Sequence, residues 1–287
     1  MNNQSMGVEE RVQAIRVNRV LILPSFATPC TYITPIQDSV GEAIASLVEL
    51  KRIPICAHSA ATMTSVPKPP RPIPGQLNPT IFAFPPNRDI LGGTAYFIQD
   101  PAGNLLIDCP AWTEDTISWL NKKGGVRWLI LTHRGGMAKV RSIQAATGCE
   151  IVVQEQEAYL LPNLTVTKFH HHHTITPDSE IIWTSGHSPG ASCIYNQQQG
   201  GILFTGRHLL PDRNGDPAPL RISKTFHWNR QLKNVMLLRD RYSSETLRWI
   251  CPGASTGYLR GETAIDNAHT KLMAIDLEAL QNAEPGL

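Results

Sequence analysis

Short apolar runs that alternate with amphipathic segments constrain the fold of this chain more than any other feature. The run Val126–Thr132 has the length of a strand and is apolar enough to be covered on both faces, as strands of buried sheets are. An amphipathic segment precedes it at Glu114–Lys123, with Thr113 as the predicted N-cap, and another follows at Val140–Thr147, which we expect to end at Gly148. This order of elements predicts an α/β protein with a buried sheet.

Further strands and helices are predicted on both sides of this region. Apolar and β-branched residues predict strands at Ala95–Gln99, Asn104–Asp108, Glu150–Gln154, Glu180–Thr184 and Gly201–Thr205. Helical periodicity predicts helices at Arg230–Asp240 and Glu245–Ile250. The strands and helices are joined by short connections, which again favours an α/β arrangement.

Prolines divide the chain near its first quarter. Eight of the 22 prolines lie between Pro67 and Pro86, a density that argues against a helix or a central strand and predicts an extended connector over the surface. We therefore expect an N-terminal extension at residues 1–78 and a main domain at residues 79–287. The extension contains a predicted strand at Arg19–Leu23 and a predicted helix at Ile36–Leu50, and this is too little apolar material for a separate core.

The net charge limits the classes of partner, and the cysteines indicate the cellular compartment. A formal net charge of +2 is too small to predict binding to nucleic acid or to an anionic membrane. No apolar run reaches the ~20 residues that a membrane-spanning helix needs. The six cysteines are scattered and form no CxxC pair, which is typical of reduced thiols, and we expect a cytoplasmic protein.

Six motifs follow one another in an order that resembles the metallo-β-lactamase-fold superfamily. They are Gly93–Ile98, Leu105–Pro110, Trp128–His133, Ser185–Gly190, Leu203–Gly206 and Cys251–Gly253, and they span about two thirds of the chain. The resemblance implies an α/β fold of the metallo-β-lactamase type, an αβ/βα four-layer sandwich, here with an N-terminal extension. It also implies a metal site on strand-end loops along one edge of the sheets.

Most of the metal ligands that this resemblance implies are replaced. The superfamily pattern T-H-x-H-x-D-H corresponds to residues 132–138, where only His133 is kept, and His187 keeps a later histidine ligand. The other ligand positions hold Gly135, Met137, Ala138, Arg207 and Ala254. Arg207 stands where a carboxylate would bridge two dications, and a cation there costs about 4 kcal/mol per unit charge at ~4 Å and a dielectric near 20. We therefore expect no dinuclear site and no metal-activated water.

The remaining residues allow one structural and two binding interpretations. In the structural interpretation, His133 and His187 are a non-catalytic remnant that ties loops together, and the resemblance places Asp108 behind them. The second interpretation is a site for a carboxylate or phosphate on three cations, Arg134, Arg207 and Lys139. The third is a single zinc ion on three imidazoles, His133, His187 and His208.

We predict a degenerate metallo-β-lactamase-fold protein with no catalytic residues and no resident cofactor. Its role is that of a scaffold, a partner-binding protein or a small-anion-binding protein, so the partner is an unidentified protein or a small anion. The alternative is a divergent metallohydrolase of esters or thioesters that holds one zinc ion. The internal run His170–His173 predicts adventitious metal binding rather than a functional site.

Overall fold

The computed structural model describes residues 68–282 and 284–285. A first sheet of seven strands follows the chain order: β1 (Arg71–Pro72), β2 (Ile81–Ala83), β3 (Tyr96–Ile98), β4 (Leu105–Ile107), β5 (Trp128–Ile130), β6 (Glu150–Gln154) and β7 (Val166–Phe169). Strands β1 to β4 pair antiparallel, and β4 to β7 pair in parallel. The carboxyl ends of β4, β5, β6 and β7 therefore lie at one edge of this sheet.

A second sheet of five strands has the order β14-β11-β10-β9-β8. Its strands are β8 (His172–Thr176), β9 (Ser179–Trp183), β10 (Ser192–Asn196), β11 (Ile202–Gly206) and β14 (Trp249–Pro252). All pairs are antiparallel except β11 with β14. A short hairpin of β12 (Leu210–Pro211) and β13 (Pro217–Ala218) stands apart from both large sheets.

The described residues form five α-helices beside the sheets. They are α1 (Glu114–Lys122), α2 (Val140–Thr147), α3 (Trp228–Arg241), α4 (Ala268–Met273) and α5 (Leu277–Gln281). The predicted N-cap of α1 is confirmed, because the Thr113 hydroxyl accepts a hydrogen bond from the backbone N–H of Thr116 at 3.3 Å. The predicted end of α2 is confirmed as well, since Gly148 adopts the left-handed conformation with a φ of 66°.

Apolar side chains separate the elements into four layers. One cluster fills the space between the two sheets, where the rings of Tyr96 and Phe204 meet edge to face with centroids 5.1 Å apart. A second cluster packs α1 and α2 on the outer face of the first sheet, and a third packs α3 and α4 on the outer face of the second. The predicted αβ/βα sandwich is confirmed.

The predicted helix at Glu245–Ile250 is wrong. Trp249–Pro252 is instead strand β14, and its Ile250 pairs with Leu203 of β11. The backbone N–H of Trp249 also bonds to the carbonyl of Gly201 at 3.0 Å. Pairing with a buried neighbour strand overrides the local helical pattern, because strand formation depends on tertiary contacts more than helix formation does.

The predicted connector between Pro67 and Pro86 is also wrong in part, because it contains β1 and β2. Strand β2 is buried and lies between β1 and β3. It contains no proline, so every residue of Ile81–Ala83 keeps its backbone N–H, while Pro72 lies on the edge strand β1, where proline is tolerated. The extension at residues 1–78 stays a prediction, since its strand at Arg19–Leu23 and its helix at Ile36–Leu50 lie outside the described residues.

The predictions about the cysteines and about membrane-spanning helices can be compared with the described part of the chain. Cys109, Cys149, Cys193 and Cys251 are free and buried, whereas Cys30 and Cys56 lie outside the described residues. Of the helices between residues 68 and 282, none has the length and apolar character needed to cross a lipid bilayer.

Gly206 provides a test of how closely the two sheets approach. Its φ is 50°, and a Cβ added there would lie 2.4 Å from Oγ1 of Thr132 in the first sheet. We expect Gly206→Ala to lower the free energy of unfolding by about 3 kcal/mol, since left-handed strain adds to overpacking. Urea unfolding measures the loss. The control Gly92→Ala has a φ of 74° and open space around the new Cβ, so it should lose only about 1 kcal/mol. Equal losses would contradict the close approach.

Candidate functional site

The candidate site residues lie on loops at the strand ends where the two sheets meet. Asp108 follows β4 and His133 follows β5, while His187 lies in the connection between β9 and β10. Arg207 and His208 follow β11. The ring centroids of His133 and His187 are 5.7 Å apart, and the two ring planes meet edge to face at 71°. The fold thus brings residues from both sheets to one place.

Hydrogen bonds join Asp108, Thr132 and His133 within this cluster. The backbone N–H of Thr132 donates to Oδ1 of Asp108 at 2.9 Å, and the Thr132 hydroxyl donates to Oδ2 at 2.6 Å. Burial raises the pKa of Asp108 to about 6, although these two bonds and the charge of Arg207 lower it. Asp108 also has a φ of 57°, a left-handed conformation that is uncommon outside glycine, although asparagine and aspartate adopt it more often than other residues.

The hydrogen bonds of Thr132 determine the proton position on His133. Because the Thr132 hydroxyl gives its one proton to Asp108, its oxygen must accept from Nδ1 of His133, 2.9 Å away. Burial lowers the pKa of His133 well below its usual value, and the nearby His187 and Arg207 lower it further. The ring is therefore neutral, with its proton on Nδ1. Its Nε2 is buried without a partner among the described residues.

The other two imidazoles are neutral for related reasons. Burial, and then the charges of Arg207 and Arg134, lower the pKa of His187 to about 4. Burial lowers the pKa of His208 to about 3, with a smaller effect from His187. His208 is anchored only through its backbone, whose carbonyl accepts from the Gln231 side chain at 2.9 Å. Neither ring nitrogen of His208 has a partner within the described range.

Arg207 holds a neighbouring loop as well as facing the cluster. Its Nη2 donates to the backbone carbonyls of Ile90 and Leu91, at 3.0 Å each. Its Nε is buried and has no hydrogen-bond partner in the described part of the chain. Arg207 is thus hydrogen-bonded to backbone carbonyls, while Asp108 acts on it through its charge.

The three cations predicted to bind an anion differ in their interactions with the histidine cluster. Arg134 is exposed next to His133, and its charge lowers the pKa of both His133 and His187. Lys139 is exposed at the start of α2, and its backbone N–H lowers the pKa of the Cys109 thiol through a hydrogen bond. Within residues 68–282, no hydrogen bond or ion pair joins the Lys139 side chain to the cluster. The charges of Arg134 and Arg207 therefore act on the same imidazoles, whereas the Lys139 side chain lies outside the cluster.

Glu157, which was not predicted from the sequence, lies in the same cluster. This residue is 1% exposed and stands three residues after the end of β6. Its charge raises the pKa of Asp108, so the two carboxyl groups interact. Parallel strands end at one edge of a sheet, and Asp108, His133 and Glu157 follow three consecutive parallel strands. That register is the signal that predicts Glu157 at the site.

Solved structures share this architecture. A metallo-β-lactamase from Pontibacter korlensis matches with a TM-score of 0.55 at 19% sequence identity, over 73% of this chain and 98% of that one. The chain has the metallo-β-lactamase fold. A di-iron-bound form of TTHA1623 matches with a TM-score of 0.50 at 16% identity, over 62% of this chain and 92% of the other.

These likenesses establish the fold and not an activity. No protein-family model matches the sequence. No curated protein matches it either. What the site can do therefore has to be argued from its own residues.

The residues at this edge of the metallo-β-lactamase fold do not fit a dinuclear metal centre. Two guanidinium groups, of Arg134 and Arg207, act on the imidazoles that would be ligands. Nε2 of His133 faces Gly135, where a Cβ would lie 3.0 Å away. Met137 packs against the apolar cluster outside the first sheet, and Ala254 is buried. At these positions the chain offers apolar contacts in place of ligands.

The set of three imidazoles does not form a metal site in this arrangement either. Among residues 68–282 and 284–285, no three His, Cys, Asp or Glu side chains are placed to hold one metal ion. The histidine run His170–His173, which begins two residues before β8, gives no such set either, since two of its members lie next to separate carboxylates. His170 Nδ1 lies 2.7 Å from Glu155 and His172 Nε2 lies 3.5 Å from Glu180.

The buried imidazoles predict a loss of stability in acid. Because the pKa of His208 is about 3 in the folded chain and about 6.5 in an unfolded chain, protonation favours unfolding as the pH falls below about 6.5. The His208 contribution to the free energy of unfolding should fall by about 3 kcal/mol between pH ~6.5 and ~4.5. Asp108 acts oppositely, since its raised pKa stabilises the fold below pH 6, but His187 adds to the effect of His208.

His208→Leu tests this dependence on pH. The substitution removes a buried group with two unpartnered nitrogens, so the slope of unfolding free energy against pH should become shallower between pH ~4.5 and ~6.5. Urea unfolding at several pH values measures the slope. His269→Leu, at a half-buried histidine in α4, is the matched control and should keep the wild-type slope. An unchanged slope in His208→Leu would show that His208 does not resist protonation.

Proposed function

We propose that the site at Arg134, Arg207 and His187 binds a small anion and does not catalyse hydrolysis. The observation that carries this proposal is the pair of guanidinium groups, Arg134 and Arg207, whose charges act together on the half-buried His187. Of the non-catalytic roles predicted from the sequence, this arrangement favours anion binding over a scaffold, because it concentrates positive charge where solvent reaches the site.

Arg207 supplies the most specific part of the proposed site. Its Nη2 is occupied by the carbonyls of Ile90 and Leu91, which fixes the guanidinium plane. Its buried Nε has no partner among the described residues, and an unsatisfied buried donor costs about 1–3 kcal/mol. An oxygen of a carboxylate or phosphate placed at Nε would satisfy that donor with a charge-assisted hydrogen bond.

The neutral imidazoles favour binding without hydrolysis. A pKa of about 4 leaves His187 uncharged at neutral pH, so it can donate one hydrogen bond but is a weak general base. Cys109 is no better as a nucleophile, since burial raises its pKa to about 12. The site thus has donors for an anion and lacks an activated nucleophile.

A second candidate function is the divergent metallohydrolase with one zinc ion. It is favoured by the unpartnered nitrogens of His133 and His208, because buried imidazole nitrogens without partners are suitable metal ligands. It requires the imidazoles to move into a common site, which Arg207 opposes by its charge.

Inorganic phosphate provides the direct test of anion binding. With a Kd of about 1 mM, phosphate at about 10 mM should stabilise the fold by about 1.4 kcal/mol and raise Tm by about 2–4 °C relative to chloride of equal ionic strength. Arg207→Gln and Arg134→Gln should each abolish most of this shift. Arg141→Gln is the matched control, because Arg141 is exposed on α2 and, among residues 68–282, its side chain bonds to the carbonyl of Pro162 alone. Equal shifts in all three variants would contradict the proposal.

Elemental analysis separates the two candidate functions. The protein should be purified without metal-affinity resin, and a variant with alanine at all four positions of His170–His173 should be measured beside it. We expect less than about 0.1 metal per chain in both. One metal per chain that the alanine variant keeps and His187→Ala loses would favour the hydrolase instead.

A further inference from the structure

Glu157 is a buried carboxyl group that is not among the residues proposed to bind the anion. It belongs to a 3₁₀ turn at Glu155–Leu160 that follows β6, and 1% of its surface is exposed. Burying a carboxylate is costly unless hydrogen bonds compensate for the lost water. The groups around Glu157 therefore indicate what it does.

Those groups belong to the two loops that carry the proposed anion site. Oε1 accepts a hydrogen bond from the backbone N–H of Gly190 at 3.0 Å, in the loop of His187. Burial raises the pKa of Glu157, whereas the Ser188 side chain and the Gly190 backbone in that loop lower it, and so do the charge and the backbone N–H of Arg134 on the other side. One side chain thus interacts with both loops.

The approach of Glu157 to the His187 loop depends on Gly190. A Cβ at Gly190 would lie 2.8 Å from Cγ of Glu157, closer than side chains tolerate. The contact therefore requires a residue without a side chain at position 190 of the loop. Oε1 of Glu157 makes the bond to Gly190, while Oε2 is buried without a hydrogen-bond partner in the described chain.

We infer that Glu157 is a positioning residue that holds the Arg134 loop and the His187 loop at the spacing an anion requires. This inference rests on the proposed function. The carboxyl group touches no anion itself: it fixes the backbone at Gly190, three residues after His187, and lies against the backbone of Arg134. Losing the link lets the two loops separate, and the guanidinium of Arg134 and the imidazole of His187 then no longer converge on one ligand.

A pair of substitutions distinguishes positioning from a general effect on stability. Glu157→Gln keeps a side-chain carbonyl that can accept from Gly190, whereas Glu157→Ala removes the acceptor. The phosphate Kd, measured by calorimetry below the Tm of each variant, should stay within about threefold of wild type for Gln and weaken about tenfold or more for Ala. Glu155→Ala, at the exposed neighbour that pairs with His170, should bind as wild type does.

Amide hydrogen exchange at Gly190 gives a readout that does not depend on phosphate. Exchange should accelerate in Glu157→Ala and stay near the wild-type rate in Glu157→Gln. A folded Glu157→Ala variant with wild-type phosphate affinity would overturn the positioning role, whatever its exchange rate. If wild type binds no phosphate, the proposed function fails; a wild-type exchange rate at Gly190 in the Ala variant would overturn the link itself.

Discussion

The hydrogen bonds between Asp108 and Thr132 are the interaction on which the rest of the site depends. They join the ends of β4 and β5 through one buried carboxylate, and Thr132 also lies against Gly206 at the end of β11. One threonine therefore connects the first sheet to the second. Its hydroxyl also determines which nitrogen of His133 carries the proton. A change at Asp108 would alter the strand ends and the histidine together.

Two residues at this edge of the fold have a left-handed backbone. Asp108 has a φ of 57°, and Ser255, directly after Ala254, has the same φ. Strained backbone of this kind persists where the surrounding fold requires it. The cations at this edge are the guanidinium groups of Arg134 and Arg207. Guanidinium groups bind oxyanions through directed hydrogen bonds.

Sequence reasoning predicted those elements whose local pattern agrees with their tertiary setting. Helix α1 has its cap at Thr113 and α2 ends at Gly148, because caps depend on neighbouring residues alone. It failed for Glu245–Ile250, where pairing with β11 decides the strand, and for the proline-rich segment, where β2 is a proline-free run between prolines. Both errors have one cause: strand pairing is a contact between distant segments.

The sequence by itself indicated an α/β protein and the caps of α1 and α2, since these follow from residue identity and spacing, while its resemblance to the metallo-β-lactamase-fold superfamily implied the four-layer sandwich and the five replaced ligand positions. Only the tertiary structure decided which charges meet. It grouped Arg134 with Arg207, left Lys139 outside and brought the buried Glu157 to the loop of His187. Electrostatic interactions depend on distances and burial, and neither quantity exists until the two sheets have packed together.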